Sequence, residues 1–412
     1  MKKIFAPANI LLPNRDISPE AWSVIACDQF SSEPSYWERV KKLVGTKPST
    51  LNMIIPEAYL DDINEEAKID KISKTMEDYI SRGLFRELKD SFVYVERTLS
   101  DGQSVRKGLI GVVDLEEYDF TGKSNAAILA SEGTALDRLP PRIRVREAAS
   151  LELPHIMTLI ADKNNTVIEP VAGITDSLPL LYDFELMEGG GVIKGFQVSG
   201  EPAQDVSKAL QSLYEVNRAH EPPLCLMIMG DGNHSLAAAK TYWDGIKRDL
   251  SENRQKTHPA RFALLEVNNL YDPAVHFEAI HRVIFDVDTE RFLSAFIDAI
   301  PVGKDYMLEV LTSGNGQKLP LSAGSTGDVY AKVQDFIDDY INRFGGRVDY
   351  IHGDEAVKKL TGEKNSAGIL LPIVTKPEFF DTVASKGIFP RKSFSIGHAG
   401  DKRYYMECRK IV

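Results

Sequence analysis

The sequence predicts an α/β to α+β fold in which mixed sheets pack with helices. The first observation is an apolar run, Leu224-Cys225-Leu226-Met227-Ile228-Met229. It enters a tight polar turn, Gly230-Asp231-Gly232-Asn233-His234-Ser235, and a helical run beginning at Leu236 leaves it. That order reads as buried strand, turn and helix start. The second observation is a pair of turn signals, Asp101-Gly102 and Gly189-Gly190-Gly191, each between alternating apolar runs; such turns mark hairpins. Thirdly, helix-like and strand-like stretches mix along the rest of the chain. Hairpins in several places favour mixed sheets over a purely parallel one.

From the N-terminus, residues 1–50 combine short apolar pieces with Pro and Ser. Ser18 and Pro19 read as a helix cap and first helical position. Across 56–84, Ile63, Ile69, Ile72, Met76 and Ile80 recur near helical spacing. Residues 91–99 and 107–115 form the arms of the first hairpin. Residues 167–171 read as a short strand, 180–198 as the second hairpin and 202–219 as a helix. Within 224–250, Leu236, Ala239, Trp243, Ile246 and Leu250 make the helix amphipathic. Residues 262–267 read as a strand, 289–300 as a helix, 311–327 as a loop or hairpin and 329–344 as a helix. Asp349-Tyr350-Ile351 leads through His352-Gly353 into another helix, and 369–374 is a short strand. A polar and basic tail ends the chain. The length implies two or three domains, placed at 1–150, 151–300 and 301–412, the last closing over the site.

Composition narrows the function. The chain carries a formal net charge of −11, which opposes the cationic surface that nonspecific nucleic-acid binding needs. Its three cysteines, Cys27, Cys225 and Cys408, are far apart and make no Cys-x-x-Cys pair. A reducing cytoplasm suits them better than a disulfide framework. No apolar run reaches the roughly 18 residues of a membrane span, and Asn9, Pro13, Asn14 and Arg15 interrupt any secretory signal.

The 230–235 turn is the main candidate site. The first amides of a helix lack internal partners and carry the positive end of its dipole, so the junction suits an anion. Gly230 and Gly232 admit unusual dihedrals and close approach of a ligand. Asn233 and Ser235 can cap the helix or meet phosphate, His234 can carry a proton, and Asp231 can hold magnesium. A run with Arg138, Arg142, Arg144 and Arg146 suits phosphate through its guanidinium forks, or forms a solvated helix face. The tail 389–398, which includes Arg391 and Lys392, can close over an anionic ligand. Asp28, beside Cys27, is a candidate base. His276 and His281 lie five apart, a poor spacing for zinc on one helical face.

Ala26-Cys27-Asp28-Gln29-Phe30, the Gly230–Ser235 turn, His281-Arg282-Val283-Ile284 and Phe389-Pro390-Arg391-Lys392-Ser393-Phe394 together resemble domain-of-unknown-function family 1015 over nearly the whole chain. The turn is also similar to the phosphate-binding turn of the ParB/sulfiredoxin superfamily, which includes free-serine kinases. The resemblance implies a central ParB/sulfiredoxin-like strand–turn–helix unit and a nucleotide-phosphate site on Asp231, Gly232 and His234. Asn233 stands where a His is common and Ser235 where an Arg is frequent. Arg391, Lys392 or an arginine of 138–146 then has to supply the phosphate fork.

The function expected is a nucleotide-dependent phosphotransferase acting on a small metabolite, with an amino acid or hydroxy acid as acceptor. ATP or ADP would lay its phosphates on Gly230, Gly232, Asn233, Ser235, Arg391 and Lys392. His234, Asp231 and Asp28 would be catalytic, with Mg2+ at Asp231. The alternatives are a non-catalytic nucleotide-binding regulatory module and a phosphate-ester hydrolase. The partners expected are a small-molecule substrate and a nucleotide, with no nucleic acid and no membrane; self-association is left open.

Overall fold

A computed structural model describes residues 3–59, 65–122, 124–362 and 365–412. Ile63 of the expected helix lies outside them. Among the described residues, an eleven-stranded sheet takes its strands from positions 5 to 269, and a six-stranded sheet from 277 to 396. Strands from both sides of residue 150 share the larger sheet.

The larger sheet is mixed, as the hairpin signals predict. Phe85–Thr98 and Val105–Asp114 pair antiparallel with Thr98 opposite Val105, so the turn carries Asp101-Gly102. Leu180–Glu185 and Val192–Val198 pair around the three glycines. Gly191 sits at φ +82°, where an added Cβ would lie 2.0 Å from the Thr98 carbonyl oxygen. Two parallel contacts set the middle of the sheet. Met227–Asp231 runs parallel to Ile128–Leu129, and Phe262–Asn269 runs parallel to Met157–Ile160. All three residues Met227, Ile228 and Met229 are fully buried, as a central strand requires.

The six-stranded sheet is antiparallel and centred on Phe277–Phe285, which pairs with Arg347–His352, Ser366–Leu370 and Phe394–Ile396. Residues 311–327 resolve into a hairpin arm, Asn315–Leu321, beside Tyr306–Thr312. Helices Thr289–Ala299 and Thr326–Phe344 bury Phe292, Phe296, Val329, Tyr330 and Val333 in its core.

One expectation fails. Residues 167–171 are not a strand but lead into a one-turn helix, Glu169–Ala172, with a proline at its start. Proline fixes φ near the helical value and offers no amide to a ladder. The polar and basic end of the chain turns inward. After Phe394–Ile396, the chain crosses back toward the N-terminal elements: Tyr404 bridges Ile25, Cys408 bridges Leu11 of the larger sheet, and Arg409–Lys410 pairs with Leu151–Glu152 in a separate two-stranded sheet. Residues 401–409 are all buried. Their charges survive burial by pairing: Arg403 meets Glu266 and Glu407, and Arg409 Nε lies 2.6 Å from Glu152 Oε1.

Candidate functional site

The polar turn leaves the buried strand at the point where the two sheets meet. Gly232 caps the helix Asn233–Ile246 with a left-handed backbone, φ +79° and ψ +26°. A Cβ there would lie 3.1 Å from Ile156 Cα, so both conformation and space demand glycine. Ser235 and Leu236 amides return to the Gly232 carbonyl, and the Gly232 amide donates to Asp231 Oδ1 at 2.8 Å.

Asn233 faces inward. Its Nδ2 donates to Ser131 Oγ at 3.2 Å and its Oδ1 accepts from the Ser131 amide at 3.4 Å. That clamp fixes residues 131–133 against the helix start. The same residues zip onto the C-terminal arm: the Phe389 amide donates to the Ser131 carbonyl and the Gly133 amide to the Phe389 carbonyl. Glu132 is thereby placed between the turn and the arm, and its Oε2 accepts from the Ser393 amide at 3.2 Å.

Glu132 is a half-buried carboxylate whose pKa is pushed up to about 7. Burial is the main cause, and the neighbouring Asp231 charge adds to it. The Ser393 and Lys392 amides and the Arg282 charge oppose the rise. Asp231 goes the other way. Burial pulls its pKa up, but Lys402, the Gly232 amide and His155 more than cancel that, and the net shift is downward. Two adjacent carboxylates with pKa values driven apart are the arrangement that separates an ionised group from a proton-exchanging one.

Cations surround this pair. Lys402 Nζ lies 3.2 Å from Asp231 Oδ2, and also donates to Ser395 Oγ and the Ile396 carbonyl, each at 2.9 Å. Arg282 is buried and donates to the Ile280 and Lys392 carbonyls at 2.7 and 3.0 Å. It thereby holds the arm in a turn where Lys392 has φ +53°, a costly conformation for a residue with a Cβ. Exposed Arg391 and Lys392 stand against Tyr350. Arg391 Nε donates to its hydroxyl at 3.2 Å, and Lys392 Nζ lies 5.0 Å from its ring centre.

The turn residues named from sequence divide in two. Gly230, Asp231, Gly232 and Asn233 lie beside Glu132, and the arm with Arg391 and Lys392 joins them. Ser235 points elsewhere, with its hydroxyl 3.0 Å from His155 Nε2. His155 Nδ1 meets the Tyr405 hydroxyl at 3.1 Å, and that hydroxyl also accepts from the Cys27 amide. His155 is held below its usual pKa by burial, against the pull of Asp28 and Asp231. Asp28 therefore sits near Cys27 and His155, with one carboxylate oxygen buried and lacking a hydrogen bond. Burial pushes the Cys27 thiol up to about 11, with Asp28 adding to the rise, so Cys27 is not a thiolate nucleophile. His234 Nε2 accepts from the Ala135 amide at 3.3 Å, which ties that nitrogen to the loop.

Magnesium at Asp231 finds no support in these surroundings. Its oxygens face the Gly232 amide and the Lys402 ammonium, and no cluster of three or more His, Cys, Asp or Glu able to hold a metal ion occurs among the described residues. Arg142 and Arg146 do not form a free phosphate fork, because they pair with Glu57 and Glu152. His281 is a structural group: its Nδ1 accepts from the Leu371 amide and its Nε2 meets Asp354. No helix among the described residues is long and apolar enough to cross a membrane. Sequence reasoning passed over Glu132 and Lys402. Glu132 follows a short apolar run ending at Ala130, a faint strand-end signal. Lys402 lies in a charged tail with none.

A family model described as "Protein of unknown function (DUF1015)" matches residues 10–352. No curated protein matches the chain. Among solved structures, the chain is similar to a free serine kinase mutant in complex with ADP, with a TM-score of 0.40 at 9% identity, covering 74% of this chain and 92% of that one. SbnI with C-terminal truncation from Staphylococcus aureus gives 0.38 at 9% identity, covering 70% and 82%. A conserved hypothetical protein from Pyrococcus furiosus gives 0.35 at 10% identity, covering 72% and 90%.

Proposed function

The chain belongs to the DUF1015 family, whose function is unknown, and we propose that this member is a phosphotransferase that moves a phosphoryl group from a nucleotide to the hydroxyl of a small metabolite. The observation that carries the reading is Glu132. Its carboxyl is poised about neutral pH, beside an ionised Asp231 and under the cationic arm of Arg391 and Lys392. A general base works best with a pKa near the working pH. Phosphoryl transfer asks little else of a protein than positioning and charge neutralisation.

In this reading the acceptor hydroxyl gives its proton to Glu132 as its oxygen bonds to phosphorus, and the bond to the nucleotide's leaving oxygen breaks. Arg391 and Lys392 offset the charge of the transferring group. Lys402 keeps Asp231 ionised, and that negative charge in turn raises the basicity of Glu132. The first turn of the helix at Asn233 adds its dipole. Asp28, beside Cys27 and His155, is given no part in this step.

The test is incubation of the full chain with ATP or ADP, magnesium in the buffer, and a pool of hydroxylated amino and hydroxy acids, with mass spectrometry of the products. A phosphorylated acceptor that disappears with Glu132→Gln supports the reading. Free phosphate without an acceptor product points to a hydrolase, and nucleotide binding without turnover to a regulatory module; either result overturns it.

A further inference from the structure

One hydroxyl–imidazole pair beside the polar turn takes no part in the proposed transfer. Ser235, in the first turn of the helix Asn233–Ile246, sets its Oγ 3.0 Å from His155 Nε2. Both residues line a cavity of about 180 Å³. Met53, Met76, Val145 and Leu151 give it apolar walls. The charged groups on the wall cancel, because Arg142 pairs with Glu57 and Arg146 with Glu152. Such a wall suits an uncharged guest with a hydrocarbon part, and a cavity of about 150 Å³ already admits a benzene-sized one.

The surroundings assign the proton of the imidazole. Burial lowers the His155 pKa and keeps the ring neutral, and among the charges acting on it Asp28 is the strongest. Asp28 acts on Cys27 and Tyr405 as well, which places it on their side of the ring. The Tyr405 hydroxyl oxygen accepts from the Cys27 amide at 3.1 Å and lies 3.1 Å from His155 Nδ1, while its own proton bonds the Cys27 side chain. The negative charge on that side draws the ring proton to Nδ1, which donates to Tyr405. Nε2 is left with its lone pair toward the Ser235 hydroxyl. A serine bonded to a neutral imidazole that further groups orient is the arrangement of an activated nucleophile. Two features offset the charge that grows on an attacked carbonyl beside Ser235. One is the positive end of the helix that starts at Asn233, and the other is Arg142, whose charge is felt at His155.

We propose that Ser235 and His155 hydrolyse uncharged esters of short aliphatic acids, with the acyl chain against Met53, Met76, Val145 and Leu151. Ser235 Oγ bonds to the carbonyl carbon as its proton passes to His155 Nε2. The bond from that carbon to the alcohol oxygen then breaks, and His155 returns the proton to the departing alcohol. Water, giving its proton to the same nitrogen, frees the acid and restores Ser235. Asp28 is a positioning residue that acts through the tautomer of His155. Cys27 also lines the cavity, but burial pushes its thiol up to about 11, so the hydroxyl and not the sulfur attacks.

Incubation of the full chain with p-nitrophenyl butyrate tests this. Release of p-nitrophenolate above the buffer blank is expected, with a butyryl group that peptide mass spectrometry places on Ser235. Ser235→Ala should cut the release by about 10³-fold or more. The rate should fall at low pH as His155 gains a proton. Asp28→Asn removes a charge that raises the His155 pKa, so it should move that fall to lower pH. Val145→Trp should abolish turnover by filling the cavity from a partly exposed helix position, and this variant decides the matter if Ser235→Ala does not fold. No release above the blank, undiminished release by Ser235→Ala or Val145→Trp, a butyryl group on Cys27 instead of Ser235, or an acid limb that Asp28→Asn leaves in place overturns the proposal. The assay contains no nucleotide, so its outcome stands whether or not phosphoryl transfer is found.

Discussion

Lys402 reaches from the buried C-terminal segment to set its ammonium 3.2 Å from Asp231 Oδ2, joining two residues 171 positions apart. Lys402 is only 8% exposed, and Asp231 25%. One contact thus couples the end of the chain to the turn that begins the central helix.

Lys402→Met should therefore destabilise the protein by about 2–3 kcal/mol at pH 7, at the lower edge of what breaking a buried ion pair costs because Asp231 keeps some water. The folded pKa of Asp231 is depressed, so its stabilising contribution is present above the unfolded value and fades as pH falls through the folded one. The deficit of the variant should shrink as pH drops from 7 toward about 4. Urea unfolding at both ends of that range measures it. An equal deficit throughout would mean that packing, not charge, is what Lys402 contributes.

Glu132 has the opposite sign. Its folded pKa, about 7, lies above that of an unfolded Glu. The folded state then holds its proton more firmly, and the stability tied to that proton is full below the unfolded pKa and lost as pH rises through about 7. Glu132→Gln should be more stable than the parent at pH 8, by about 2–3 kcal/mol, and close to it near pH 5. Phosphoryl transfer should drop by about 10²–10⁴-fold, and the remaining rate should lose its pH dependence near neutrality. Parallel stability curves for the two proteins from pH 5 to 8 would contradict the elevated pKa.

Gly232→Ala tests the turn itself. The left-handed backbone costs a residue with a Cβ about 1–2 kcal/mol, and the added carbon would meet Ile156 Cα at 3.1 Å. A loss of about 2 kcal/mol or more is expected by thermal or chemical unfolding. A neutral substitution would show that the turn can relax to another conformation.

Arg403→Met leaves Glu266 and Glu407 buried without their shared guanidinium. The expected cost is about 3–5 kcal/mol. Truncation after Asp401 removes Tyr404, Tyr405, Met406 and Cys408 from the core, and the remaining chain should show no cooperative unfolding by calorimetry. A truncated chain that melts sharply near the parent temperature would show that the buried end of the chain contributes little to the core.

The elements readable from sequence were those decided by short-range chemistry. Asp101-Gly102 and the glycines at 189–191 mark their hairpins because tight turns need particular backbone conformations within a few residues. Ser18 accepts from the Ala21 amide, as its place before Pro19 predicts. The turn at 230–235 stood out because apolar strand, glycines and amphipathic helix are contiguous. Residues 167–171 misled because a short apolar run fits strand or helix equally. The site around Glu132 was only half visible. Arg391 and Lys392 stand out by their charge, but no pattern in the neighbouring residues marks Glu132, and Ser235 turns instead to His155.

By itself, then, the sequence determined where strands, hairpins and helices fall, and that a glycine-bearing polar turn would follow a buried strand, since those depend on neighbours along the chain. Only the tertiary structure decided which carboxylate would be raised and which lowered, and that a charged tail would be interior. A pKa and a buried ion pair depend on what stands within a few ångströms in space: Glu132 owes its raised pKa first to burial, with the Asp231 charge adding and the 392–393 amides opposing, and Arg403 owes its place to Glu266.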